Sequence, residues 1–91
     1  MEEGAKRIGV VSIIIRRREL SAMKINEILN EYGKIVIGRM GIPYEVGAIH
    51  IIALIVNGST DEIGALTGKI GSLPSVEVKS VLTKAQEMHY A

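Results

Sequence analysis

Apolar residues along this chain fall into two kinds of run. One kind is short, dense and β-branched. It occupies residues 6–15, 34–40, 48–56 and 76–82, and each run reads as a strand. The other kind recurs at helical spacing. Ile25, Ile28, Leu29 and Tyr32 make one apolar stripe, and Ile63, Leu66, Ile70 and Leu73 make a second. Punctuation agrees with this division. Ser21 is a candidate N-cap for the first helix, and Gly33 is placed to end it in a left-handed conformation. Ser59 and Glu62 match the S-x-x-E capping box of the second helix, and Pro74 lies just beyond its end. Residues 41–44, Gly-Ile-Pro-Tyr, read as a turn, and Asn57-Gly58 as the end of the third strand. Residues 83–91 read as a polar tail on a core of residues 6–82, so residues 1–91 are expected to form one domain.

The order is β-α-β twice over, the α+β arrangement called ferredoxin-like. Interleaving the halves gives a four-stranded antiparallel sheet of order 4-1-3-2 with both helices on one face. That order requires strands one and three to be central and the most apolar. They are, at residues 10–15 and 49–56. Strand two carries Lys34 and Arg39, and strand four carries Glu77 and Lys79, as edge strands should.

A sheet covered on one face should alternate apolar with polar residues. The central strands do not. Ala48, Ile52, Leu54 and Val56 point one way from strand three, and Ile49, Ile51, Ala53 and Ile55 point the other. Strand one sets Ile8, Val10 and Ile14 against Val11, Ile13 and Ile15. The uncovered face would amount to roughly several hundred Å2 of apolar surface, more than soluble monomers usually expose. At about 25 cal/mol per Å2, covering it is worth roughly ten kcal/mol before association costs. The tail is too short and polar to serve. The expectation is therefore a homo-oligomer, a dimer or tetramer, with Ile52 and Leu54 in its interface. His50 shares their side of the strand and is expected there as a hydrogen-bonded interface histidine.

Composition removes several chemistries. The chain has no cysteine, which excludes disulfides, thiol catalysis, Cys-type zinc sites and iron–sulfur ligation. His50, even doubled by a second subunit, gives too few ligands for a transition-metal site, so no metal and no cofactor are expected. Net charge is +1, which supplies no general pull toward nucleic acid or an anionic membrane. The start of the chain has no cationic segment followed by an apolar one, and no apolar run is long enough to span a bilayer. A cytoplasmic protein is the expectation.

Three features remain as candidates for binding. Arg16-Arg17-Arg18 between strand one and helix one reads either as a solvated turn or as an anion or acidic-partner site. Gly64, Gly68 and Gly71 form a side-chain-free stripe on helix two, which calls for close packing or close approach of a ligand or subunit. Arg39 and Tyr44 flank the stiff segment that contains Pro43. Strands one and two run parallel, so the arginine loop and this segment should project from one end of the sheet. Arg16, Arg17, Arg18, Arg39, Tyr44, Gly64 and Gly68 are the expected ligand- or partner-binding residues. No residue is expected to be catalytic.

Residues 26–33 (NEILNEYG), 38–44 (GRMGIPY) and 61–71 (DEIGALTGKIG) resemble the iron-only hydrogenase system regulator family. The resemblance runs from about Arg7 to Leu82. It implies the same ferredoxin-like fold, related to ACT domains and to the C-terminal domain of nickel-responsive repressors, and a regulatory role in an oligomer that binds a small ligand or a protein partner. ACT domains bind amino acids around a glycine in the first strand-to-helix loop, which this chain lacks. The nickel repressors use histidines, a cysteine and a separate DNA-binding arm, and this chain shows neither the cysteine nor the arm. An enzyme is the alternative, of the acylphosphatase or dimeric α+β-barrel type. Arg16, Arg17 and Arg18 lack the glycines of a phosphate cradle, however, and Asn57 is on the wrong strand for an acylphosphatase. RNA binding of the RRM kind needs aromatic platforms on strands one and three, and there are none.

Overall fold

The computed structural model describes residues 5–44 and 48–83. Its elements are β1 (Arg7–Ile15), α1 (Arg18–Glu31), β2 (Val36–Tyr44), β3 (Ile49–Gly58), α2 (Thr60–Gly71) and β4 (Val76–Leu82). All strand pairs are antiparallel, and the sheet order is β2-β3-β1-β4. This is the ferredoxin-like α+β fold expected, with the apolar strands in the centre.

One side of the sheet is sealed. Val11, Ile13 and Ile15 of β1 and Ile52, Leu54 and Val56 of β3 form a continuous core with Ile25, Ile28 and Leu29 of α1 and Ile63, Leu66 and Ile70 of α2. Both helices therefore cover the same face. Gly9 lets β4 approach β1 closely, since a methyl group there would run into Leu82.

The helix ends differ from expectation in instructive ways. Ser21 does not cap α1, which begins at Arg18. It is buried, and its hydroxyl donates to the Pro74 carbonyl at 2.7 Å, tying α1 to the connection between α2 and β4. Gly33 is not left-handed. The last turn of α1 closes instead through short-range bonds from the Tyr32 N–H to Ile28 O and the Gly33 N–H to Asn30 O. The capping box on α2 is complete. The Glu62 N–H donates to Ser59 Oγ at 3.1 Å, and the Ser59 N–H donates to Glu62 Oε1 at 2.9 Å.

Residues 41–44 are strand, not turn. Pro43 is tolerated because β2 is an edge, where a missing N–H leaves no ladder bond unmade. The larger departure lies earlier in β2. Val36 is opposite Val56 and Gly38 is opposite Ile55, so one extra residue bulges between them. A bulge reverses which face every later residue occupies. It puts Arg39, Gly41 and Pro43 on the helix side and Met40, Ile42 and Tyr44 on the open side.

The Glu62 carboxyl lies below its ordinary value, chiefly because the Ser59 N–H donates to it; burial opposes this, and Lys6 adds a weaker attraction. A folded-state value below the unfolded one means stability present above the carboxylate range and lost as pH falls through the folded value. Glu62→Gln should thus lower the urea midpoint at neutral pH, and the gap from the parent should close on acidification. Ser59→Ala should cost about 1 kcal/mol.

Candidate functional site

The open side of the sheet has no cover among the described residues. Val10 is 47% exposed, Met40 57%, Ile42 45% and Tyr44 47%. Ile8, Ile14, Ile49, Ile51, Ala53 and Ile55 fill the space between them on β1 and β3. Among the described residues, charge appears on this face only at the β4 margin, as Glu77 and Lys79, and Glu77 is already paired with Arg16 at 2.9 Å. Ile52 and Leu54 are not on this face, contrary to expectation. They are 6% and 0% exposed beneath the helices, and His50 shares their side. Both phases of β3 are equally apolar, so period-two alternation alone does not say which one the helices claim.

On the helix side, several concavities lie along the edges of α1 and α2. The groove between the helices, about 290 Å3, is lined by Lys24, Glu27, Glu31 and Lys69 among others. Its charges cancel in pairs: Lys24 with Glu27 at 3.6 Å, and Lys69 with Glu31 at 2.8 Å. The Lys69 ammonium is held above its ordinary value, first by the hydrogen bond to Glu31 and then by Tyr32. The β1–α1 loop borders a wide depression of about 670 Å3, lined by Arg16, Arg17, Arg18, Glu19, Ala22, Met23 and Ala48. Here too, ion pairs absorb the charge of Arg16, with Glu77, and of Arg17, with Glu19 at 3.0 Å.

The third concavity differs. It is a cavity of about 160 Å3 between α1 and the end of the sheet where β2 finishes and β3 begins. Ile15, Ile25 and Ile52 line its apolar part, and Arg18, Asn26, Arg39 and His50 its polar part. Each polar group is placed by local structure. Arg18, Ala22 and Asn26 recur every fourth residue and so share one face of α1. The bulge in β2 turns Arg39 toward the helices, where its guanidinium donates to Asn26 Oδ1 at 3.1 Å. His50 points the same way from β3, next to a gap left by Gly41. A methyl group on Gly41 would sit 3.4 Å from Nε2, at the near edge of ordinary contact. His50 Nδ1 is buried and has no hydrogen-bond partner among the described residues.

The expected site residues therefore separate into three places. Arg18 and Arg39 come together, as the parallel course of β1 and β2 requires. Arg16 and Arg17 border the neighbouring depression. Tyr44 is on the open face, opposite Ile49. Gly64 and Gly68 are on the outer surface of α2 with nothing within 4 Å of where a side chain would begin. They do not mediate packing of α2 on α1. Asn26 and His50 were not singled out as members of this cavity. Asn26 could have been found from its four-residue spacing to Arg18. His50 could not have been placed without the phase of β3. No group of three or more metal-binding side chains occurs among the described residues, and no helix is long and apolar enough to cross a membrane.

Comparison with known proteins supplies a family. The family model described as "TM1266-like: Iron-only hydrogenase system regulator, putative" matches residues 7–80. A solved structure of the uncharacterised protein TM1266 from Thermotoga maritima is 34% identical, with a TM-score of 0.82. The match covers 87% of this chain and 99% of that one. A de novo designed protein, Foldit4, shares the fold at 14% identity and a TM-score of 0.55, covering 89% of this chain and 99% of its own. No curated protein matches the sequence.

Open space around the α2 glycines makes a direct prediction. Gly64→Ala and Gly68→Ala should each stabilise the protein by about 0.5–1 kcal/mol, because alanine loses less backbone freedom in a helix interior. Chemical denaturation measures this. Destabilisation by either variant would show that another molecule approaches the stripe.

Proposed function

Because the chain belongs to the TM1266-like family of iron-only hydrogenase system regulators, we propose that it is a non-catalytic regulatory module of that system. In this reading it works as an oligomer of identical chains and responds to a small bound molecule. The observation that carries the reading is the open face of the sheet. Four exposed apolar side chains on β1 and β2 surround a floor of isoleucine and alanine with one serine, Ser12, from the central strands, with no charge among them. A second copy of the same face meets this surface without burying a like-charged pair, since Glu77 and Lys79 stay at the margin. Isologous pairing of this kind closes on itself and leaves the helix side, with its cavity, facing solvent.

A binding role, rather than a catalytic one, is supported by the residues that line the cavity. They include no carboxylate, hydroxyl or thiol to serve as nucleophile or paired acid and base. Two guanidiniums, an amide and an imidazole suit recognition.

Sedimentation velocity tests the assembly. The parent chain should sediment as a dimer or tetramer at low micromolar concentration. Ile51→Glu and Ile55→Glu should give folded monomers, because these side chains lie on the open face. Leu54→Glu should unfold the chain instead, since it would bury a charge in the core. A parent chain that stays monomeric throughout that range would contradict the proposal.

A further inference from the structure

We infer that the cavity between α1 and the start of β3 binds a small organic anion, a carboxylate with a short apolar body and no cationic group. This rests on the reading of the chain as a ligand-responsive module and names the class of ligand.

Charge bookkeeping around the first loop isolates the site. Arg16 and Arg17 each have a carboxylate within 3.0 Å. Arg18 and Arg39, which line the cavity, have none among the described residues, and Arg39 is held only by the neutral Asn26 amide. Two arginines and a histidine thus line one small space, and the arginines are its cations. Such groups repel one another until an anion is placed between them, and guanidiniums bind carboxylates through paired N–H donors.

His50 supplies an independent observation. Its Nδ1 is buried without a partner, whereas buried polar atoms in folded proteins nearly always have one. The imidazole lines the cavity, and a turn of the ring that brings this nitrogen, in its N–H form, to a carboxylate oxygen there would give it the missing partner.

The remaining lining defines the rest of the ligand. Ile15, Ile25 and Ile52 offer a hydrocarbon floor, which a bare phosphate would leave without a partner. None of the lining residues is acidic, so an ammonium group would be buried among cations. An amino-acid zwitterion is therefore disfavoured. A volume near 160 Å3 accepts a molecule of only a few non-hydrogen atoms.

The test is a titration of the full chain with propionate, inorganic phosphate and alanine in turn, followed by NMR through the His50 imidazole and the Gly41 and Ile52 amides. Propionate should shift these signals saturably, and Arg39→Gln and Arg18→Gln should each weaken its binding at least about tenfold, the effect of losing one charge-assisted contact. The Arg18 side chain makes no hydrogen bond among the described residues, so its variant reports on binding even if Arg39→Gln folds poorly. Absence of saturable shifts with propionate, or affinity unchanged in both variants, would overturn the site. Phosphate binding as tightly as propionate would overturn the organic class, and tighter binding of alanine would overturn the exclusion of a cationic group. Sedimentation of the same samples separates the two readings. Loss of propionate binding in an intact oligomer counts against the ligand class alone, and propionate binding by a monomer counts against the assembly alone.

Discussion

The central strands of this sheet are apolar on both faces, and the chain's own helices can cover only one of them. Everything else in the molecule follows from that imbalance. On the helix side, β1 and β3 donate six side chains to a core completed by α1 and α2. On the other side the same two strands present isoleucine, valine and alanine, and β2 extends the patch with Met40, Ile42 and Tyr44. Burying such a patch is worth roughly ten kcal/mol before association costs, comparable with the whole stability of a small domain. Its natural cover is a surface of the same kind, and a second copy of the chain offers one. The small size of the domain adds weight, since short chains bury a smaller share of their surface alone.

The same imbalance organises the functional reading. If the open face is committed to assembly, ligand recognition falls to the helix side and to the ends of the strands. There the electrostatics are selective. Most charged groups near the helices are neutralised by neighbours: Arg16 by Glu77, Arg17 by Glu19, Lys24 by Glu27, Lys69 by Glu31. These are exposed pairs and contribute little to stability. Their effect is to leave Arg18 and Arg39 as the cations lining a cavity, beside a histidine whose Nδ1 has no hydrogen-bond partner among the described residues.

Much of this was legible in the sequence. The β-α-β repeat, the central position of the two apolar strands, the Ser59–Glu62 box and the apolar helix stripes all rest on strong local patterns, and all are present. What was not legible turned on phase and distance. A strand that is apolar on both sides does not announce which side is core, and the helices claim the side of Ile52 and Leu54 rather than leaving it to an interface. The bulge at Ile37 carries no signal in residue type, yet it decides that Arg39 faces α1 and Tyr44 does not. Ser21 has the chemistry of a cap, but its hydroxyl is taken by a carbonyl 53 residues away. Pro43 looked like a turn because edge strands and turns tolerate proline alike. The convergence of Arg18, Asn26, Arg39 and His50 depends on these same choices, which is why the arginines could be named from the sequence and the cavity could not.

The central claim is that the open face is covered by a second copy of the chain. The absence of cysteine makes a direct measurement available, because one introduced thiol is then unique. Ser12 is on β1 in the middle of the open face and Gly68 is on the outer surface of α2. The rate at which a water-soluble maleimide labels Ser12→Cys, compared with Gly68→Cys, reports whether the face is covered. The account predicts that Ser12→Cys reacts much more slowly than Gly68→Cys at high protein concentration and accelerates on dilution. Equal rates for the two thiols at every concentration would contradict it.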